Sequence, residues 1–291
     1  MAGGDTAVDW PSPPWMPPMS PRATSRTGER AAALATDEAR ALVAALAIAP
    51  GDPAGVHEAR KSLRRLRSLL ALARSALGKE VVDPVDSELR ALTKSLSALR
   101  DGQVVLDTAQ HMARDARAAD EAASWDALLP LLSQQQEHRL ADALHDDPGF
   151  MRRQAQAHRQ AERLQQLPWH RLHGGDLRNA LARSVRRQER SQAVALASGR
   201  VDDLHVWRRR SRRLRMQLAA FRKLHLRLQM NGHALAIAPR HIAELVDQLG
   251  VLQDLALLQQ ALAMLERAQA RAAPVAKRRR PAIPSPIHPL T

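Results

Sequence analysis

Residues 56–74 read VHEARKSLRRLRSLLALAR, and residues 204–222 read LHVWRRRSRRLRMQLAAFR. Counted from His57, the cations Arg60, Lys61, Arg64, Arg65 and Arg67 all fall within roughly 80° of the histidine on a helix turning about 100° per residue. Val56, Leu63, Leu66, Leu69 and Leu70 fall on the far side. The same spacings from His205 give Arg208, Arg209, Arg212, Arg213 and Arg215, with Leu204, Leu214, Leu218 and Phe221 opposite. Each stretch is therefore an amphipathic helix with a cationic face, and the pattern recurs 148 residues on.

A basic helix face is most often solvated surface, but the second copy in the same register argues against that. Glu58 is the one carboxylate interrupting the first stripe, so pairs within the helix cannot neutralise it. Uncompensated like charge destabilises a fold, and an anionic partner is the expected compensation. The whole chain agrees, with a net charge of +14 and a pI near 11.4. Arg210 falls towards the apolar side, where the first copy has Ser62, and is expected to snorkel to the bundle edge.

Aromatic residues make up 2% of the chain, with no tyrosine, so the core must be built from Leu, Ala, Val and Met. That suits close-packed helices and not strands. With no cysteine, disulfides and thiolate metal sites are excluded. No apolar run approaches the ~18 residues of a membrane span, and residues 1–30 lack the apolar core of a secretory signal. The expectation is a soluble, cytoplasmic protein.

Six prolines lie in residues 1–28 and five in 272–291, so both ends are expected to be disordered tails flanking a helical domain at 29–271, with halves 29–145 and 149–271. The KRRR run at 277–280 is expected to be solvated. Breakers divide the domain into helices over about 29–49, the His57 stretch to Gly78, 84–116, 121–145, 150–167, 176–198, the His205 stretch to 231–232, and 238–270. This gives eight helices, Pro84 opening the third and Pro130 kinking the fourth, and no strand. A second repeat pairs Leu92, Leu96, Leu99 and Asp101 with Leu245, Leu249, Leu252 and Asp254. The simplest architecture is two antiparallel helical bundles related by approximate two-fold symmetry.

The pairing of H-x-x-R-K-x-x-R-R-L-R with a later L-x-x-x-L-x-x-L-R-D resembles the CHAD family, the conserved histidine α-helical domain, over roughly residues 29–270. The resemblance implies two four-helix bundles with pseudo-two-fold symmetry, a basic central groove, binding of inorganic polyphosphate and, in some bacteria, association with polyphosphate granules. It carries a ligand role onto His57, Arg60, Lys61, Arg64, Arg65 and Arg67, and onto His205, Arg208, Arg209, Arg212, Arg213 and Arg215. Arg100-Asp101 match the arginine-aspartate pair, whereas the second half has Gln253-Asp254. Asp101 and Asp254 are expected to aim arginines of the preceding helices.

Nucleic acid is the second reading for the cationic faces, although they carry no Asn or Gln placed for base edges and Trp207 is their one stacking residue. A zinc pair built on the two histidines lacks companion ligands, and the His170/His173 pair reads as incidental loop polarity. No phosphate-binding G-x-x-x-x-G-K-[ST] loop and no E-x-E-x-K signature is present. The expectation is a non-catalytic binding protein needing no cofactor or metal. The oligomeric state is not legible in the chain.

Overall fold

In the computed structural model, residues 25–230, 233–234 and 239–272 are described. The expected tails lie outside this range except at their inner edges, where helix α1 begins at Arg26 and α9 ends at Ala272. The described residues form nine α-helices, α1 (Arg26–Ile48), α2 (Pro53–Leu77), α3 (Lys79–Ser95), α4 (Ser97–Asp115), α5 (Ala119–Asp146), α6 (Met151–Gln165), α7 (Gly174–Ser198), α8 (Val201–Lys223) and α9 (Pro239–Ala272). Two short 3-10 turns, Pro148–Phe150 and Trp169–Arg171, complete the helical elements.

The chain divides into two compact units. The first takes Met1–Ser97 and Ala143–Val246, and the second Ala98–Asp142 and Asp247–Thr291. In the first, α1 packs on α2 and α6, α3 packs on α2 and α6, and α2 also meets α7 and α8. Small residues make the α1 contact close, since Ala31, Ala35, Ala39, Leu42, Ala45 and Ala49 recur every three or four positions and are all buried. Asp52 accepts from Ala54 N–H at 2.7 Å and Pro53 occupies the first turn of α2, the arrangement that starts a helix cleanly. The apolar sides expected for the two repeated helices are buried, with Leu63, Leu66, Leu69, Leu70, Leu214, Leu218 and Phe221 all in the core. In the second unit Val105 and Ala109 of α4, Trp125 and Leu132 of α5, and Leu258, Ala261 and Leu265 of α9 form one apolar cluster.

Four expectations are corrected. The helix expected to open at Pro84 begins at Lys79, because Gly78 (φ 99°) alone turns the chain from α2 into α3. Pro84 sits within α3, where its ring leaves only the first-turn Glu80 carbonyl without its usual donor. That long helix is also broken at Leu96 (φ −99°, ψ 2°) into α3 and α4, without glycine or proline. The His205 helix stops at Lys223, eight residues early, because His225 adopts the left-handed conformation (φ 54°). His225 N–H then bonds Arg222 O and Leu226 N–H bonds Phe221 O, a Schellman stop made without glycine. A short ladder follows, Gln229–Met230 antiparallel to His233–Ala234, where no strand was expected. Leu252 of the leucine repeat is exposed, unlike Leu99.

Candidate functional site

Where α2 meets α8, the two cationic faces are brought together. Arg64 and Arg67 from α2, with Arg209, Arg212 and Arg213 from α8, line a cavity of about 150 Å³ completed by Ser68 and Met216. Arg209 and Arg213 also line a cavity of about 430 Å³ with Arg187 of α7 and Arg210. Arg210 does not cover apolar surface; its Nη1 donates to the Arg187 carbonyl at 2.9 Å, which fixes it across to α7. Arg67 and Arg213 line a third cavity, of about 400 Å³, with Arg74, Asp83, Asp86 and Arg90.

Arg213 is common to all three cavities. Burial first, and then Arg67, lower the pKa of its guanidinium; Asp86 opposes them, and Arg187 and Arg90 add to the lowering. Arginine does not lose its proton at working pH, so the consequence is stored repulsion and not neutralisation.

The other carried-over residues divide between internal partners and separate places. Arg60 donates to Ser97 Oγ at 2.8 Å and Thr93 O at 3.3 Å, so it secures the α3–α4 break. Lys61 bonds Glu58 at 3.0 Å, and this contact leads the causes holding the Glu58 carboxyl below its ordinary range. Arg65 pairs at 3.3 Å with Glu38 of α1, a buried carboxylate that Lys223 reaches at 2.9 Å from α8. Arg67 forks onto Asp86 of α3 at 2.8 and 3.3 Å. Arg74 forks onto Asp83 at 2.5 and 2.6 Å, which holds that carboxyl below the usual range. His57 Nε2 stands 3.9 Å from Glu58. His205, Arg208 and Arg215 are half-buried on α8. Arg100, Asp101 and Asp254 belong to the second unit, where Arg100 pairs with Asp107 at 3.7 Å.

The expectation that the first stripe is left without carboxylates is therefore corrected: Glu38 and Asp86 reach it from neighbouring helices. Sequence reading missed these two and the α7 arginine. Asp83, Asp86 and Arg90, spaced three and four residues apart on one face of α3, were the available signal. Trp207 is buried and offers no ring for stacking. His173 caps α7, its N–H donating to Asp176 at 3.0 Å. Among the described residues no three His, Asp or Glu side chains form a metal-holding group, and no described helix is long and apolar enough to cross a membrane.

Fold and site together define an all-α domain with an arginine-lined helix junction. The CHAD domain family model matches residues 30–263, and the chain belongs to that family. A solved structure, the crystal structure of the CHAD domain from the plant Ricinus communis, superposes with a TM-score of 0.59 at 20% identity, covering 88% of this chain and 84% of that one. Comparison with curated proteins finds no match.

Proposed function

We propose that this protein binds inorganic polyphosphate without transforming it, through a basic groove formed where α2 and α8 meet. The observation that carries this reading is the gathering of Arg64, Arg67, Arg209, Arg212 and Arg213 around one small cavity, extended by Arg187 and Arg210. Polyphosphate presents a line of charged oxygens and no base edges. Guanidinium forks hold such oxygens bidentately and stay charged. An anion threaded past Arg213 would relieve the repulsion stored there. Family membership supports the same ligand, and polyphosphate granules in the cytoplasm are the setting it implies.

The domain at 29–271 is taken as two related halves, 29–145 and 149–271, between tails 1–28 and 272–291. Supporting a pseudo-two-fold relation, the unit boundary falls inside both leucine repeats, after Ser97 and after Val246. His57, Arg60, Lys61, Arg65, His205 and Arg208 then flank or brace the groove. Asp86 and Glu38 do the aiming that was expected of Asp101 and Asp254.

Duplex DNA is the rival polyanion, and burial of Trp207 weakens its case. Competition at one fixed salt concentration decides between them, because electrostatic affinity varies steeply with salt. Long-chain polyphosphate should displace labelled duplex DNA, with DNA failing in the reverse direction. DNA displacing polyphosphate at equal charge concentration would reverse the assignment.

A further inference from the structure

The internal repeat extends past the basic stripes. Arg67, Leu70, Ala71 and Arg74 line the cavity of about 400 Å³ beside α3. Their counterparts at the same distances from His205, namely Arg215, Leu218, Ala219 and Arg222, line a separate cavity of about 460 Å³. The two cavities share their helix positions and differ in their remaining walls. In the first, α3 supplies Asp83 and Asp86, which occupy the forks of Arg74 and Arg67. In the second, the remaining described walls are Leu226, Leu228, Pro239 and Ala243, with no carboxylate among them.

We propose that the second cavity is a binding site for a small amphipathic anion. Arg215 and Arg222 hold its carboxylate or phosphate head, and a short apolar body lies against Leu218, Leu226, Leu228 and Ala243. The two arginines stand two turns apart on one helix face, a rise of about 10 Å that their long side chains can close over one head. Arg215 is half-buried and Arg222 is exposed, so charge is presented at the wall and at the mouth. The volume falls within the roughly 300–1,000 Å³ of small-molecule sites, which are mostly apolar with a few placed polar groups. A polyphosphate chain laid against these leucines would lose hydration and recover nothing. An alkyl body gains from the same surface. The first cavity cannot take such a ligand, because its own carboxylates already satisfy the guanidinium groups.

Calorimetric titration of the full chain with decanoate, octyl phosphate, octanol and inorganic phosphate tests this. At least one of the two anionic amphiphiles should saturate one site per chain below about 1 mM, with octanol and inorganic phosphate roughly tenfold weaker or more. Decanoate and octyl phosphate distinguish a carboxylate head from a phosphate head. Arg222→Gln should weaken the amphiphile about tenfold, and Ala243→Phe, which fills the cavity, should abolish it. Both variants should retain wild-type affinity for long-chain polyphosphate, so failure of this site and failure of the polyphosphate reading are separate results. No saturable binding of either amphiphile would overturn the proposal. So would unchanged amphiphile binding in Arg222→Gln, a surface change that the fold tolerates, or inorganic phosphate binding as tightly as the amphiphiles.

Discussion

Arg67 shows how a single side chain serves both fold and site. It is largely buried, its fork is held by Asp86, and Arg213 and Arg90 stand close by. Removing the carboxylate leaves those cations uncompensated, which is more costly than losing an exposed pair. Asp86→Asn should therefore melt earlier than wild type in buffer, by the equivalent of about 1–2 kcal/mol after discounting for partial exposure. Added long-chain polyphosphate should raise its melting temperature more than it raises that of wild type, since the ligand takes over the neutralising role. Equal shifts in the two proteins would place Arg67 outside the binding surface. Asp83 gives a pH test. Its pKa is lowered in the folded state by Arg74, so its contribution is present above the unfolded value near 3.9 and is lost as pH falls through the folded one. The gap in melting temperature between wild type and Asp83→Asn should be small at pH 7, because both partners are half-exposed, and should close under acid. A gap that widens below pH ~4 would contradict this sign.

Among the elements, the α1–α2 corner depends on one glycine. A Cβ at Gly55 would stand 2.6 Å from backbone atoms of Ala49 and 2.7 Å from the Ala45 carbonyl, distances that backbone cannot absorb by a rotamer change. Gly55→Ala should destabilise by about 2 kcal/mol through overpacking, measured by denaturant unfolding. An unchanged midpoint would mean the corner relaxes. The elements themselves were largely legible in the sequence where period and punctuation agree: Asp52-Pro53 starts α2, and the leucines opposite His57 are those buried. Boundaries were illegible where tertiary contacts set them. The break at Leu96 is held by Arg60 and Ser97, and the stop at His225 is made by a residue with no helix-ending reputation. The site divides in the same way. Spacing along one helix places the arginines on a face, but it says nothing about Glu38, Asp86 or Arg187, which arrive from other helices.

At the scale of the whole molecule, the two copies of the basic stripe are taken to act on one ligand chain. If His57 or His205 donates to phosphate as imidazolium, binding should be tighter at pH 6 than at pH 8, since the ordinary histidine value of about 6.5 lies between. The His57→Gln, His205→Gln double variant should lose that difference; an unchanged pH dependence would remove the histidines from the binding surface. A shared groove also makes the second contact intramolecular once the first has formed, so long chains should bind far more tightly per phosphate than a short oligophosphate. The most direct measurement is calorimetric titration of long-chain polyphosphate into wild type, Arg64→Glu and Arg212→Glu at one salt concentration. A single shared groove predicts that each change alone weakens binding by about tenfold or more, with the stoichiometry unaltered and the salt slope reduced in both. Wild-type affinity with halved stoichiometry in either variant would show two independent surfaces and contradict the shared groove.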